Sequence, residues 1–360
     1  MLFPLLLFDL AEAGQIPFQT NSHPIHKTFV TSHPAVLRPS RQDASFVEES
    51  TSPRAPFSPL SFLNYRRPYP FLQMEPARLY ALSGIRLKAV KQKIWRPRAK
   101  GGSHAYMEAR RASVRASRGI AHPPHYEPMQ WDEVEVETPD VTDVETLAGL
   151  AKMTSNAYVD GSHQGSSGWY DLSSGGWNLS DSFGWQEDGI RGHVFATADN
   201  STVVVAIKGT SAGAFVGGGG STQINDKLND NLLFSCCCAR VDWTWSTVCD
   251  CYSGGYKCDE NCVEDALINK SVYYPLATDL YNNITEAYPD AQIWLTGHSL
   301  GGSLASLLSL TFGIPCVTFE APGDYLPAKR LHLPLPPGQD PASPYGAITH
   351  IYHNADPIPQ

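Results

Sequence analysis

The chain has 360 residues, of which 42% are hydrophobic and 18% charged, a composition normal for a globular protein. Its net charge of −9 hides two different halves, because residues 1–130 carry +10 and residues 131–360 carry −19. The acidic half argues against nucleic acid as a partner, since a phosphate-binding surface needs basic side chains. The basic half concentrates its charge between Arg86 and Arg118, which indicates either a solvated segment or a surface for anionic lipid or RNA.

The change of charge predicts a domain boundary near Pro139. We expect a basic, largely irregular stalk over residues 1–137 and a globular domain over residues 138–360. The stalk begins with a short apolar run, Leu2 to Phe8, which no basic residue precedes, so residues 2–10 are at most the remnant of a signal anchor. No stretch of the sequence approaches the ~18 apolar residues that a membrane span needs.

Regular elements are predicted from about residue 141 onwards. Thr142 and Glu145 have capping-box spacing, which starts a helix. The β-branched run from Val203 to Ile207 predicts a buried central strand that ends at Lys208. Further patterns predict a helix over 271–288, a strand over 292–296, a helix over 300–310, and strands over 314–319 and 348–353. This alternation predicts an α/β fold of the α/β-hydrolase type, with a mostly parallel sheet.

Residues 213–262 are predicted to form a long irregular insertion, which holds seven of the eight cysteines. These are Cys236, Cys237, Cys238, Cys249, Cys251, Cys258 and Cys262, with Cys316 apart. Zinc is the alternative, but three adjacent cysteines do not easily ligate one tetrahedral ion and the paired C-x2-C spacing is absent, so we expect disulfides and no metal. Four Asn-x-Ser/Thr triplets agree with passage through an oxidising, glycosylating lumen; their asparagines are Asn178, Asn200, Asn269 and Asn283.

The stretch Gly-His-Ser-Leu-Gly at residues 297–301 has the form of a serine-hydrolase nucleophile elbow. Gly297 and Gly301 leave room for the sharp turn that would expose the Ser299 hydroxyl. The amide of Leu300 is expected to be one oxyanion donor, and Thr210, just after the Val203–Ile207 strand, is expected to supply the second. A lone motif of this kind is also explained by a structural glycine turn, but the predicted strand before it and helix after it favour catalysis.

The acid of a triad is expected after a later strand, and Asp356 lies just past the predicted strand 348–353, with Asp324 as the competitor. Either aspartate could instead stabilise a turn. His298 is adjacent to the serine and would point away from it in an elbow. His350 and His353 precede the acid on a strand, so we interpret these two as packing or surface residues. The expected general-base histidine after Asp356 has no counterpart, because only four residues follow. A chain that ends here would be incomplete, or an inactive lipid-binding product.

Four segments resemble the class 3 (fungal-type) lipases. They are Ile-Lys-Gly-Thr at 207–210, Trp-Leu-Thr-Gly-His-Ser-Leu-Gly-Gly at 294–302, Val-Thr-Phe-Glu at 317–320 and His-Asn-Ala-Asp-Pro at 353–357. Two more, Asp-Lys-Leu-Asn-Asp-Asn at 226–231 and Phe-Ser-Cys-Cys-Cys at 234–238, resemble the fungal autophagy-related vacuolar lipases within that family. The similarity covers roughly residues 138–358.

The resemblance implies that Ser299 is the nucleophile, Asp356 the acid and Thr210 an oxyanion residue, with no cofactor. It implies hydrolysis of triacylglycerol or membrane phospholipid, in the lysis of autophagic and multivesicular bodies inside the vacuole. It also implies endosomal delivery and a single-pass anchor with a lumenal catalytic domain; it indicates no protein partner. Class 3 lipases carry a lid where the cysteine insertion lies, so Trp243 and Trp245 are expected to engage lipid, or else the insertion only staples a loop.

Overall fold

An eight-stranded sheet lies at the centre of the fold. Its strands are, in spatial order, β1 (Phe18–Ser22), β2 (Lys27–Thr31), β12 (Ile348–His353), β11 (Cys316–Phe319), β10 (Gln292–His298), β7 (Thr202–Ile207), β6 (Gly192–Thr197) and β5 (Trp177–Phe183). Neighbours from β2 to β7 pair in parallel, and the pairs at both edges are antiparallel. The predicted mostly parallel α/β sheet is therefore confirmed.

The structure is a computed structural model that describes eleven stretches of the chain and one single residue. They are residues 18–22, 27–31, 86–98, 103–116, 129–166, 168–186, 189–211, 222–240, 243–333, 346–353, 356 and 358–359. Residues 2–10, where a signal-anchor remnant was predicted, lie outside them. Within the described ranges, no helix is long and apolar enough to cross a membrane.

Seven helices accompany the sheet in the described residues. They are α1 (Ser103–Ala116), α2 (Val144–Asn156), α3 (Gln223–Phe234), α4 (Glu260–Lys270), α5 (Tyr273–Ala287), α6 (Leu300–Phe312) and α7 (Tyr325–Arg330). The helices predicted over 271–288 and 300–310 correspond to α5 and α6. The predicted capping box is off by one residue, since Asp143 caps α2 by accepting a hydrogen bond from the Thr146 amide.

The central strand β7 is covered on both faces, as its unbroken apolar run predicted. Val203 and Val205 belong to a core that α5 and α6 complete, whereas Val204 and Ala206 belong to a second core shared with α2. This division follows because successive side chains of a strand point to opposite faces. Each of these four residues is at most 1% exposed, so β7 is a buried neighbour of β10 in the sheet.

Residues 89–98 and 103–116 form a strand and a helix of the fold, which differs from the predicted irregular stalk. Strands β3 (Ala89–Arg98) and β4 (Gln130–Pro139) pair along their whole length, and the predicted boundary between residues 137 and 138 falls inside β4. Lys93 of β3 forms an ion pair with Glu133 of β4. The basic residues of β3 thus pair with acidic residues of β4, so the change of charge near residue 131 partly reflects ion pairs between two adjacent strands and not a domain boundary.

The cysteine-rich insertion is also more regular than predicted. It contains α3, a short hairpin of β8 (Tyr252–Gly254) and β9 (Lys257–Cys258), and the start of α4. Three disulfides tie these elements together, namely Cys236–Cys258, Cys237–Cys249 and Cys251–Cys262. Cys238 and Cys316 are outside the disulfides. The predicted disulfide knot is confirmed.

Candidate active site

Ser299 stands at a strained turn between β10 and α6. Its backbone has φ 53° and ψ −130°, a conformation that is rare for a residue with a side chain. The flanking glycines are required by close approach, since a Cβ on Gly297 would lie 2.4 Å from the Gly301 carbonyl carbon, and a Cβ on Gly301 would lie 2.2 Å from the Ile207 oxygen. The turn is therefore tightly packed at both glycines, which is the backbone geometry that the proposed nucleophile elbow requires.

The turn places Ser299 at the amino-terminal end of α6. The first amides of a helix have no intrahelical partner and carry a partial positive charge. The amide of Leu300, the first residue of α6, is one of these groups. The Ser299 amide itself donates to the Phe319 carbonyl of β11, 3.1 Å away, which holds the turn on the sheet. The Leu300 amide therefore remains a candidate donor to an oxyanion.

The loop after β7 lies directly against Ser299. A Cβ placed on Gly209 would be 3.1 Å from the Ser299 Cβ and 2.3 Å from the His298 carbonyl oxygen. Thr210 follows in this loop, and its hydroxyl donates to the carboxylate of Asp230 on α3. Burial raises the pKa of Asp230 to about 7, and the bond from Thr210 counters part of that rise. The structure thus places the loop that carries Thr210 beside Ser299.

A buried ion pair lies beneath this loop. The Lys208 ammonium donates to the Gly209 carbonyl at 2.9 Å, to the Ser211 hydroxyl at 2.7 Å and to the Asp226 carboxylate at 3.2 Å. Lys208 is 6% exposed and Asp226 3%. Asp226 also accepts from the Tyr273 hydroxyl at 2.7 Å. Burial lowers the pKa of Lys208, and the charge of Asp226 offsets part of that effect.

Tyr158 is a residue of this site that the sequence motifs did not reveal. Its hydroxyl accepts from the Gly209 amide at 3.1 Å and lies 2.7 Å from His298 Nδ1. Burial lowers the pKa of His298 to about 4, so this imidazole is neutral at physiological pH. Tyr158 lies just past the end of α2. In the sequence it is 51 positions from Gly209 and 140 positions from His298, so the tertiary fold is what brings these residues together.

Asp356, the predicted acid, lies past β12 and is 3% exposed. Its Oδ1 accepts from the Ile358 amide at 2.9 Å, whereas its Oδ2 is buried and has no hydrogen-bond partner among the described residues. Glu320, which follows β11 with φ 47°, is fully buried and accepts from the His353 amide at 2.7 Å. Burial, together with the neighbouring charge of Asp356, raises the pKa of Glu320 to about 8.

Asp324, the competing acid, has a partner already. It lies 3.2 Å from His350 Nε2, and the other ring nitrogen of His350 is 2.8 Å from the Thr318 hydroxyl. His350 is therefore the partner of a buried aspartate, more than the packing residue that the sequence suggested. Of the two candidate acids, Asp356 is the one with a carboxylate oxygen that no described residue occupies.

Residues 220–360 match the class 3 lipase family, described as Lipase (class 3). Over these residues the chain is similar to the class 3 lipases. It contains Ser299, Asp356 and the cysteine insertion from α3 onwards, whereas the loop with Thr210 precedes it. The elbow and the candidate acid predicted from the sequence thus fall inside the matched family region.

The chain is similar to curated fungal proteins named as lipase ATG15. It is 62% identical to the one from Cryptococcus neoformans var. neoformans over 231 residues, which cover 64% of this chain and 43% of that protein. It is 53% identical to the one from Mycosarcoma maydis over 276 residues, which cover 76% of this chain and 50% of that protein. The chain therefore spans half or less of the length of these relatives. The solved Lip2 lipase of Yarrowia lipolytica matches 62% of this chain and 75% of its own at 18% identity, with a TM-score of 0.33.

The disulfide-tied insertion carries two very exposed aromatic residues, Trp243 and Tyr256. Trp243 is 93% exposed, whereas Trp245 is half-buried with the Lys227 ammonium 5.8 Å from its ring centre. Exposed tryptophan favours the interface between lipid headgroups and acyl chains. The two tryptophans predicted to engage lipid therefore differ, and only Trp243 presents its ring to solvent.

The four predicted glycosylation sites lie on the surface. All four side chains are exposed, on β5, on the turn before β7, near the end of α4 and on α5; they are Asn178, Asn200, Asn269 and Asn283. An oligosaccharide on any of them would project into solvent. Exposure makes each triplet accessible to modification, which remains a prediction.

Proposed function

We propose that the protein is a lipid ester hydrolase in which Ser299 is the nucleophile. The observation that carries this proposal is the strained elbow, which sets the Ser299 side chain between the amino terminus of α6 and the loop at Gly209. A serine hydroxyl in that position has oxyanion donors within reach of the atom that it attacks. The match of residues 220–360 to the class 3 lipases supports the same reaction.

In the proposed reaction the Ser299 oxygen adds to the ester carbonyl carbon as its proton passes to the imidazole of a histidine, a general base that is not among the site residues described above. The negative charge on the carbonyl oxygen is stabilised by the amides of Leu300 and Thr210. The C–O bond to the alcohol then breaks, and that alcohol takes the proton from the imidazolium. Water hydrolyses the acyl-enzyme by the same route. Asp356 is assigned the acid role, because it lies past β12 and its buried Oδ2 accepts no backbone amide among the described residues, with Glu320 as its neighbouring side chain.

The proposed substrates are triacylglycerols and membrane phospholipids, and the proposed setting is the lumen of the endosomal and vacuolar pathway. Three disulfides fit an oxidising compartment, and four exposed Asn-x-Ser/Thr triplets fit a glycosylating one. The names of the similar fungal proteins suggest a role in autophagy, namely the lysis of autophagic and multivesicular body membranes.

A fluorophosphonate probe tests the nucleophile, since it reacts only with an activated serine. We expect the wild-type chain to be labelled and Ser299→Ala to remain unlabelled. Hydrolysis of a soluble short-chain ester and of emulsified triacylglycerol then distinguishes a lipase from a general esterase, which would not prefer the aggregated substrate. A wild-type chain that binds phospholipid vesicles but is neither labelled nor hydrolytic would instead be a lipid-binding protein without activity.

A further inference from the structure

The peptide that joins Gly209 to Thr210 is held from its buried side. Lys208 donates a hydrogen bond to the Gly209 carbonyl oxygen at 2.9 Å, and this ammonium is 6% exposed. The Gly209 amide at the other end of the residue donates to Tyr158 at 3.1 Å. Both polar groups of Gly209 are therefore bound to the protein interior, and neither is available to a ligand.

Because a trans peptide is planar, the contact of the Gly209 carbonyl also fixes the direction of the next amide, that of Thr210. The carbonyl of one residue and the amide of the following residue belong to one planar unit and point in opposite directions. When the Gly209 carbonyl points to the buried ammonium, the Thr210 N–H must point away from it. Gly209 packs against Ser299, so an amide that leaves the interior at this point is directed to the region of the nucleophile.

We propose that Lys208 is a positioning residue that aims the Thr210 amide at the oxyanion. This inference rests on the proposed function and deepens it, because it assigns the orientation of one donor to a residue that touches no substrate. Without the ammonium, the Gly209–Thr210 peptide can rotate and exchange the positions of its carbonyl and its amide. A carbonyl oxygen that faces the oxyanion repels the negative charge instead of stabilising it.

Asp226 holds the ammonium in place and fixes the loop around it. Its Oδ2 accepts from the Ser211 amide at 2.9 Å and from the Thr222 hydroxyl at 3.3 Å, in addition to Lys208. These two residues flank positions 212–221, so one carboxylate on α3 secures both sides of that segment. Tyr273 saturates its other oxygen. A buried carboxylate with four donors has a single favourable arrangement, which makes the position of Lys208 well defined.

The test is Lys208→Met, which keeps an unbranched apolar side chain that ends where the ammonium would begin, and so removes only the ammonium. Arg330→Met is a matched control, because Arg330 is also 6% exposed and also donates to backbone carbonyls, those of Leu232 and Leu233. Both variants lose a buried cation, so both are expected to lower the melting temperature. For Lys208→Met we further expect kcat on a soluble ester to fall roughly 10²-fold, as when one oxyanion donor is removed, with KM changed less than twofold. Arg330→Met is expected to keep its kcat within about twofold.

A crystal structure of Lys208→Met provides a readout that does not depend on activity. We expect the Gly209–Thr210 peptide to be rotated or present in two orientations, while the wild-type chain and Arg330→Met show one. An unchanged peptide, or an unchanged kcat in a chain that hydrolyses esters, would overturn the inference. A wild-type chain that neither hydrolyses an ester nor reacts with the fluorophosphonate would refute the proposed function, and the orientation of the peptide would still decide the role of Lys208.

Discussion

Gly209 and Ser299 are in contact: a single methyl group on Gly209 would come within 3.1 Å of the Ser299 Cβ and 2.3 Å of the His298 carbonyl oxygen. The second distance is to backbone, which cannot move aside as the end of a side chain can. The two residues belong to loops that follow neighbouring strands, β7 and β10. Their contact determines how close the Thr210 loop approaches Ser299.

Gly209→Ala is therefore expected to displace the loop and to lower kcat/KM on a soluble ester about 10²-fold, the loss expected when one oxyanion donor is misplaced. The measurement is steady-state kinetics alongside the melting temperature. Gly323→Ala is the control, because no atom lies within 4 Å of the Cβ that this substitution adds. Equal activity in the two variants would show that the contact with Ser299 does not control the reaction.

Tyr158→Phe is expected to lower kcat about tenfold, because the substitution leaves the Gly209 amide buried without an acceptor. Tyr274→Phe removes a buried hydroxyl of the same kind, bonded to Thr311 at 2.7 Å on the far part of α6. Both variants should lose stability in chemical unfolding, and only Tyr158→Phe should lose kcat. A parallel loss of kcat in both would mean that reduced stability, rather than the contact with Gly209, is the cause.

The buried carboxyl of Glu320 makes stability depend on pH. Its pKa is raised from 4.5 to about 8, so between these values the folded chain holds a proton that the unfolded chain has released. The free energy of unfolding then falls as pH rises, by about 1.4 kcal/mol per pH unit from this group. Glu320→Gln cannot titrate, so we expect its stability relative to wild type to increase steadily from pH 5 to pH 8.

Urea unfolding at several pH values measures this difference, and the titration of His298 and Asp230 cancels because both chains contain them. Glu286→Gln, an exposed carboxyl on α5, is the control and should follow wild type at every pH. A difference between Glu320→Gln and wild type that stays constant across this range would show that Glu320 is ionised in the folded protein.

Replacing Cys237 and Cys249 with serine is expected to lower the free energy of unfolding by about 3 kcal/mol, since their disulfide closes a loop across 12 positions. Cys238→Ser, at the neighbouring residue outside the disulfides, should change it little. Thermal unfolding without reductant compares the two. A similar melting temperature for both would indicate that α3 and α4 hold the insertion without this disulfide.

Trp243→Ala is expected to weaken binding to phosphatidylcholine vesicles while hydrolysis of a soluble ester stays unchanged, because the ring is 93% exposed and contributes little to the fold. Trp245→Ala should instead lower the melting temperature, since its ring is half-buried beside Lys227. Vesicle sedimentation measures the first effect. Unchanged sedimentation of Trp243→Ala would leave the insertion with a structural role only.

Local patterns in the sequence predict the order of the main elements after residue 141 and the sharp turn at Ser299. The apolar run from Val203 to Ile207 and the small residues around Ser299 are local patterns, and local geometry dictates both a buried strand and a sharp turn. The strand predicted over residues 348–353 has the same bounds in the structure. The α2 cap, by contrast, is Asp143 and not the predicted Thr142. Either residue type can cap a helix, so the capping residue depends on where the packed helix begins.

The hydrogen bonds between residues that are far apart in the sequence follow from the tertiary structure alone. Tyr158 reaches Gly209 across 51 positions, Asp226 reaches Lys208 across 18, and the Glu320 carboxylate accepts from the backbone of His353. The pairing of β3 with β4, with an ion pair between Lys93 and Glu133, likewise lies at the place where the sequence predicted a domain boundary. None of these contacts leaves a periodic signal, because a buried hydrogen bond depends on where two chain segments cross and not on the residues beside either one.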